Sequence, residues 1–121
     1  MEKKTPFQRE IKEQGEALRR MVEFYRNGGR PLMRQWKTML KNTRGNLLFT
    51  GMGTSHYSPL VIKYLLASKG IMASIFEAGE LLHYELDVVR RDDLMVLISQ
   101  SGESIETVSY THLTLPTNRE V

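Results

Sequence analysis

The chain has 121 residues, 40% of them apolar and 26% charged, with a formal net charge of +3 and no cysteine. That is about one domain of ordinary globular composition, which excludes a disordered chain, a disulfide-stapled module and a thiolate metal site. A charged opening and the lack of any apolar run near eighteen residues exclude a signal peptide and a membrane-spanning helix, so a cytoplasmic protein with no membrane partner is expected.

The charge is uneven: twelve Lys or Arg against five Glu through Arg44, then five against nine acids. The basic residues spread round helical segments without interleaved aromatics or a helix-turn-helix pair. A solvated, partner-facing helix is therefore expected, and no nucleic-acid partner. His56, His83 and His112 show no ligand spacing, so neither a metal nor a cofactor is expected.

Thr5, Pro6 and Gln8 predict a helix start, with Thr5 as N-cap, Pro6 at the first helical position and Gln8 closing a capping box. Phe7, Ile11, Leu18, Met21, Val22 and Tyr25 recur on one helical face until Asn27, Gly28 and Gly29 stop it. Pro31 opens a second, shorter helix carrying Leu32, Met33, Trp36, Met39 and Leu40 on one face, and Lys41 to Asn46 reads as a polar connection. Residues 1–45 are thus expected to be a helical leader docked on a sheet.

Asn46 to Thr50 is the first predicted strand, running into Gly51, Met52, Gly53, Thr54 and Ser55 before a helix from about Ser58 or Pro59 to Lys69. Gly51 and Gly53 begin like a dinucleotide fingerprint, but His56 stands at the third glycine position, which makes that reading weak. Ile71 to Phe76 is the second predicted strand and Glu80 to Val89 a helix. Leu94 to Ile98 is the third strand, five apolar residues suited to burial on both faces of a parallel sheet. The alternation predicts an α/β fold, a three-layer, doubly wound parallel sheet, incomplete, with the helical leader before it. In flavodoxin-like order the first and third strands are neighbours. Thr54 and Ser55 then face Ser99, Ser101 and Ser104 across one crevice.

The stretch from Asp93 to Glu106, DLMVLISQSGESIE, passes from a buried strand into a loop of three hydroxyls and a glycine where a helix would begin. Backbone N–H groups and hydroxyls can converge there on an anion without a lysine, and a phosphate is the natural guest. The alternative is that Ser101 or Ser104 merely caps the next helix.

Three stretches carry a family resemblance: FQREIKEQ at Phe7–Gln14, GMGTSHYS at Gly51–Ser58 and VVRRDDLMVLISQSGES at Val88–Ser104. They resemble the sugar isomerase (SIS) domain family, and in particular the isomerase half of glutamine:fructose-6-phosphate aminotransferases, over roughly Pro6 to Thr107. The resemblance implies that Thr54 and Ser55 from one loop, and Ser99, Gln100, Ser101 and Ser104 from the other, contact a sugar phosphate. Ser104 stands where threonine is more usual and keeps the hydroxyl, and Met52 stands where a cysteine is common in the aminotransferases. The implied function is a sugar-phosphate binding SIS domain, part of a ketose-6-phosphate aminotransferase, an isomerase or a fructosamine-6-phosphate deglycase in amino-sugar metabolism. A phosphosugar-sensing module of a transcription regulator is the alternative. Isomerisation needs a base to move a proton between adjacent carbons. The resemblance implies that the catalytic carboxylate, lysine and histidine come from a second SIS repeat downstream, so no catalytic residue is named. It also implies a homodimer in the full-length protein.

Residues 46–107 are thus expected to be the first part of an SIS domain, and residues 108–121 a non-native tail. In that tail β-branched residues and Pro116 interrupt the helix that should follow Ser104. Val108 to Thr117, VSYTHLTLPT, also looks like the translation of a transposon-derived sequencing adapter, so the genuine protein sequence is expected to stop near Thr107.

Overall fold

The computed structural model describes residues 5–102. Ser104 and the expected 108–121 tail lie outside the described residues. The chain divides into two compact units, Met1–Lys41 and Asn42–Val121.

The first unit is a pair of helices, α1 (Pro6–Arg26) and α2 (Arg30–Asn42). The expected capping box is formed. Gln8 N–H donates to Thr5 Oγ1 at 3.3 Å and Thr5 N–H donates to Gln8 Oε1 at 3.1 Å, so two donors at the helix start are satisfied reciprocally. At the other end Asn27 N–H donates to the carbonyls of Glu23 and Phe24, and Gly29 N–H to that of Phe24, closing the turn the Asn-Gly-Gly stretch predicts. Pro31 is the second residue of α2, where its missing N–H costs no helical bond.

The second unit holds three parallel strands, β1 (Leu47–Gly51), β2 (Ala73–Glu77) and β3 (Leu94–Ile98), in the order β2-β1-β3. The first and third strands are neighbours, as expected, and β1 is buried along its whole length. The register aligns Leu47 with Ala73 and Leu94, Phe49 with Ile75 and Val96, and Gly51 with Glu77 and Ile98. Alternation then sorts the side chains onto two faces. Leu47, Phe49, Ala73, Ile75, Leu94, Val96 and Ile98 form one core, against which Leu66 packs. Phe76, Met95 and Leu97 line the other, under Ala78, Leu81, Leu82, Leu86 and Val89. Helices therefore cover both faces, which makes the sheet doubly wound.

The connections differ in detail from the sequence expectation, for reasons that can be named. The helix expected from Ser58 or Pro59 to Lys69 is two: α3 (Thr54–Tyr57) and α4 (Leu60–Ala67). Pro59, fully buried between them, has no N–H to continue the ladder. The second strand starts at Ala73, because Ile71 N–H closes α4 by donating to the Leu66 carbonyl. The helix expected at Glu80–Val89 begins earlier, as α5 (Ala78–Glu80), and continues as a π-helical turn (Leu81–Glu85) and a 3₁₀ turn (Leu86–Val88).

The amino-terminal ends of β1 and β3 are tied by one carboxylate. Asp93 Oδ1 accepts from Asn46 N–H at 2.6 Å and Oδ2 from Arg90 N–H at 2.8 Å. Beside it Leu94 N–H donates to the Asn46 carbonyl and Gly45 N–H to that of Asp92, each at 2.9 Å. Among the described residues no helix is long and apolar enough to cross a membrane.

Candidate functional site

Gly51, Glu77 and Ile98 end the three strands in one layer, and the two hydroxyl loops leave from adjacent strands of it. The chain leaves β1 through Met52 and Gly53 into α3, and leaves β3 through Ser99, Gln100, Ser101 and Gly102. Both loops therefore stand beyond the carboxyl ends of neighbouring strands where strand order reverses, the place at which open α/β sheets gather ligands.

Gly51 is what lets them close on each other. A Cβ at this position would lie 2.8 Å from the Ile98 carbonyl oxygen and 2.9 Å from the backbone of Ser55. The first turn of α3 is thus packed onto the last residues of β1 and β3, and any side chain at 51 would wedge them apart. Gly53 then takes φ 54°, a left-handed conformation that favours glycine, and sets the chain into α3. Ser55 N–H donates to the Met52 carbonyl and His56 N–H to that of Gly53, each at 3.0 Å. The Ser58 hydroxyl donates to the Ser55 carbonyl at 3.0 Å.

Within this frame Thr54 is exposed and Ser55 half-buried. Across the layer Ser99 is half-buried and Gln100 and Ser101 are exposed. Ser99 also shapes its own loop, its Oγ accepting from Gly102 N–H at 2.9 Å. The structure thus brings five of the six sequence-predicted residues to one end of the sheet on two adjacent strands, and Ser104 lies outside the described residues. Their inventory is hydroxyls, one carboxamide and backbone amides. Such groups bind by donating and accepting hydrogen bonds, and none of them exchanges a proton near neutral pH.

Two neighbours were not singled out from the sequence as part of this site. Glu77 ends β2 in the same layer, and its Oε2 accepts from Glu80 N–H at 2.9 Å, so the carboxylate caps α5. The Glu77–Glu80 spacing carried that signal. His56, read from the sequence as a departure from a glycine fingerprint and as a histidine without ligand spacing, packs its ring edge-on to Tyr57 with centroids 5.0 Å apart. Its Nδ1 is buried and finds no partner among the described residues.

The family model of the SIS domain matches residues 39–116. A glutamine–fructose-6-phosphate aminotransferase (isomerizing) from Pyrococcus horikoshii is 41% identical over 64 residues, which are 52% of this chain and 11% of the relative. That of Neisseria meningitidis serogroup B is 31% identical over 104 residues, 84% of this chain and 17% of the relative. An arabinose 5-phosphate isomerase, KpsF, of Escherichia coli O6:H1 is 34% identical over 68 residues, 56% of this chain and 21% of the relative. The chain therefore spans between a tenth and about a fifth of the length of these curated relatives. Among solved structures, a Bacteroides fragilis protein described as a phosphosugar isomerase involved in capsule formation superimposes with a TM-score of 0.58 at 25% identity, covering 85% of this chain and 56% of that one.

Proposed function

This chain belongs to the SIS domain family, and on that premise we propose that its two adjacent hydroxyl loops hold the phosphate of a sugar phosphate. The observation that carries the reading is the close approach at Gly51, which sets the Thr54–Ser55 turn against the end of the strand leading to Ser99–Ser101. Thr54, Ser55, Ser99, Gln100, Ser101 and Ser104 supply hydroxyl, carboxamide and amide donors to the phosphate oxygens. Donation to a charged acceptor gives stronger hydrogen bonds than a neutral pair does. The whole protein acts as a ketose-6-phosphate aminotransferase, a sugar-phosphate isomerase or a fructosamine-6-phosphate deglycase, in the cytoplasm and as a homodimer. This segment contributes the phosphate grip and not the proton transfers.

Calorimetric titration of the full-length protein with fructose 6-phosphate and with glucosamine 6-phosphate tests the reading. Saturable binding of at least one is expected, and Ser101→Ala should weaken it roughly tenfold, the loss of about one hydrogen bond to a charged group. No binding at millimolar ligand, or an unchanged affinity in Ser101→Ala, would sink the assignment.

A further inference from the structure

We propose that Glu77 is the residue by which this site selects among sugar phosphates, its carboxylate accepting from a cationic ammonium group on the sugar. The inference rests on the sugar-phosphate reading above and adds the end of the ligand that the hydroxyl loops do not hold. Glu77 ends β2 in register with Gly51, which is itself in register with Ile98. Strands lie about 4.8 Å apart, so Glu77 stands one strand's width from the turn that carries Thr54 and Ser55, and two from the start of Ser99–Ser101. A hexose phosphate held between those loops by its phosphate needs only to lean toward β2 to bring a ring substituent to this carboxylate.

Charge selects the substituent. From the strand ends to Ser55, Gly79 and Gly102 the three loops hold no Lys, Arg or His, and Glu77 is their one charged residue. Glu80 follows it, exposed, with the same sign. A ligand whose only charge is its phosphate therefore meets no cation among these described residues and has a carboxylate nearby. A ligand that also carries an ammonium group brings the missing cation itself, and N–H donation from a cation to a carboxylate is among the stronger hydrogen bonds.

The carboxylate is already held in place. Its Oε2 accepts from Glu80 N–H at 2.9 Å, which fixes the side chain at the start of α5, and no hydrogen bond from the described residues reaches Oε1. Capping alone does not call for glutamate, since Ser, Thr, Asp and Asn are the favoured caps and have shorter side chains. Gly79 keeps the group clear. A Cβ there would lie 3.2 Å from Oε2 and 3.9 Å from Oε1, and the backbone at 79 has no left-handed φ that would ask for glycine.

Calorimetric titration of the full-length protein with glucosamine 6-phosphate and with glucose 6-phosphate, which differ only in an ammonium or a hydroxyl at one carbon, tests the assignment. The amino sugar should bind at least tenfold more tightly. Glu77→Gln should reduce that ratio to about twofold or less with the unfolding midpoint unchanged, because a carboxamide oxygen can still cap α5. Should Glu77→Gln unfold, Glu77→Asn, a favoured cap without charge, carries the same comparison. Equal binding of the two sugars by the wild type, or a ratio that survives loss of the charge, would overturn the role of Glu77 and leave the phosphate site standing. Failure of both sugars to bind at millimolar concentration would overturn the phosphate site and this inference with it.

Discussion

The two ends of the sheet use the same two strands for opposite purposes. At the amino-terminal end β1 and β3 are joined by a fixed lattice: both oxygens of Asp93 accept backbone N–H groups, and the Asn46 and Asp92 carbonyls accept two more. At the carboxyl-terminal end they are joined by the strand pairing of Gly51 with Ile98, and the bare Gly51 Cα lets the Ser55 backbone approach. The polar groups there belong to short turns and face outward. The pairing of β1 and β3 is thus braced by loop and side-chain hydrogen bonds at one end, and the proposed phosphate site lies at the other.

The strongest way to break that contrast is Asp93→Ala. It removes the acceptor of two charge-assisted hydrogen bonds and should cost about 3 kcal/mol, read by urea unfolding. The affinity of the folded fraction for sugar phosphate should stay as it was. Gly51→Ala attacks the other end, where the added Cβ meets backbone on two sides. A stability loss of about 2 kcal/mol is expected, with at least a tenfold loss of sugar-phosphate affinity. Equal losses of affinity from both substitutions would erase the division of labour.

Ser99→Ala sharpens the contrast. It removes the acceptor of Gly102 N–H and should weaken binding severalfold while moving the unfolding midpoint by about 1 kcal/mol or less. The smallest effect is expected at Thr50, which is 1% exposed, with a hydroxyl that has no partner among the described residues. Thr50→Val replaces an unsatisfied buried group by a methyl and should stabilise the sheet by about 0.5–1 kcal/mol, leaving affinity unchanged.

Much of this arrangement was legible in the sequence, and the reasons are local. Leu94–Ile98 was readable as a strand because Asp93 and Ser99 bracket five apolar residues. The start of α1 was readable because a capping box needs only residues three apart. The adjacency of the two loops was legible only on the premise of a flavodoxin-like strand order, which the order β2-β1-β3 bears out. What escaped depends on distance or on bonds that composition does not record. Asp93 acts across 47 residues on Asn46. Ile71 and Met72 are as apolar as a strand requires, but Ile71 N–H is bound to the end of α4. Leu81, Leu82 and Leu86 fit an α-helical face as well as they fit the mixed turns that they occupy.

Those mixed turns bear on how the chain tolerates a change of length. A π-helical turn bonds each residue to one five places on, so it holds one residue more than an α-turn does. Between Leu81 and Glu85 the chain therefore carries a spare residue inside a helix that is pinned at Leu81, its fully buried member. Deleting His83 or Tyr84, both exposed, would let the segment relax into an ordinary α-turn, where most helices would lose their register. A one-residue deletion should therefore be absorbed better at this turn than within α4, whose ladder holds no spare residue.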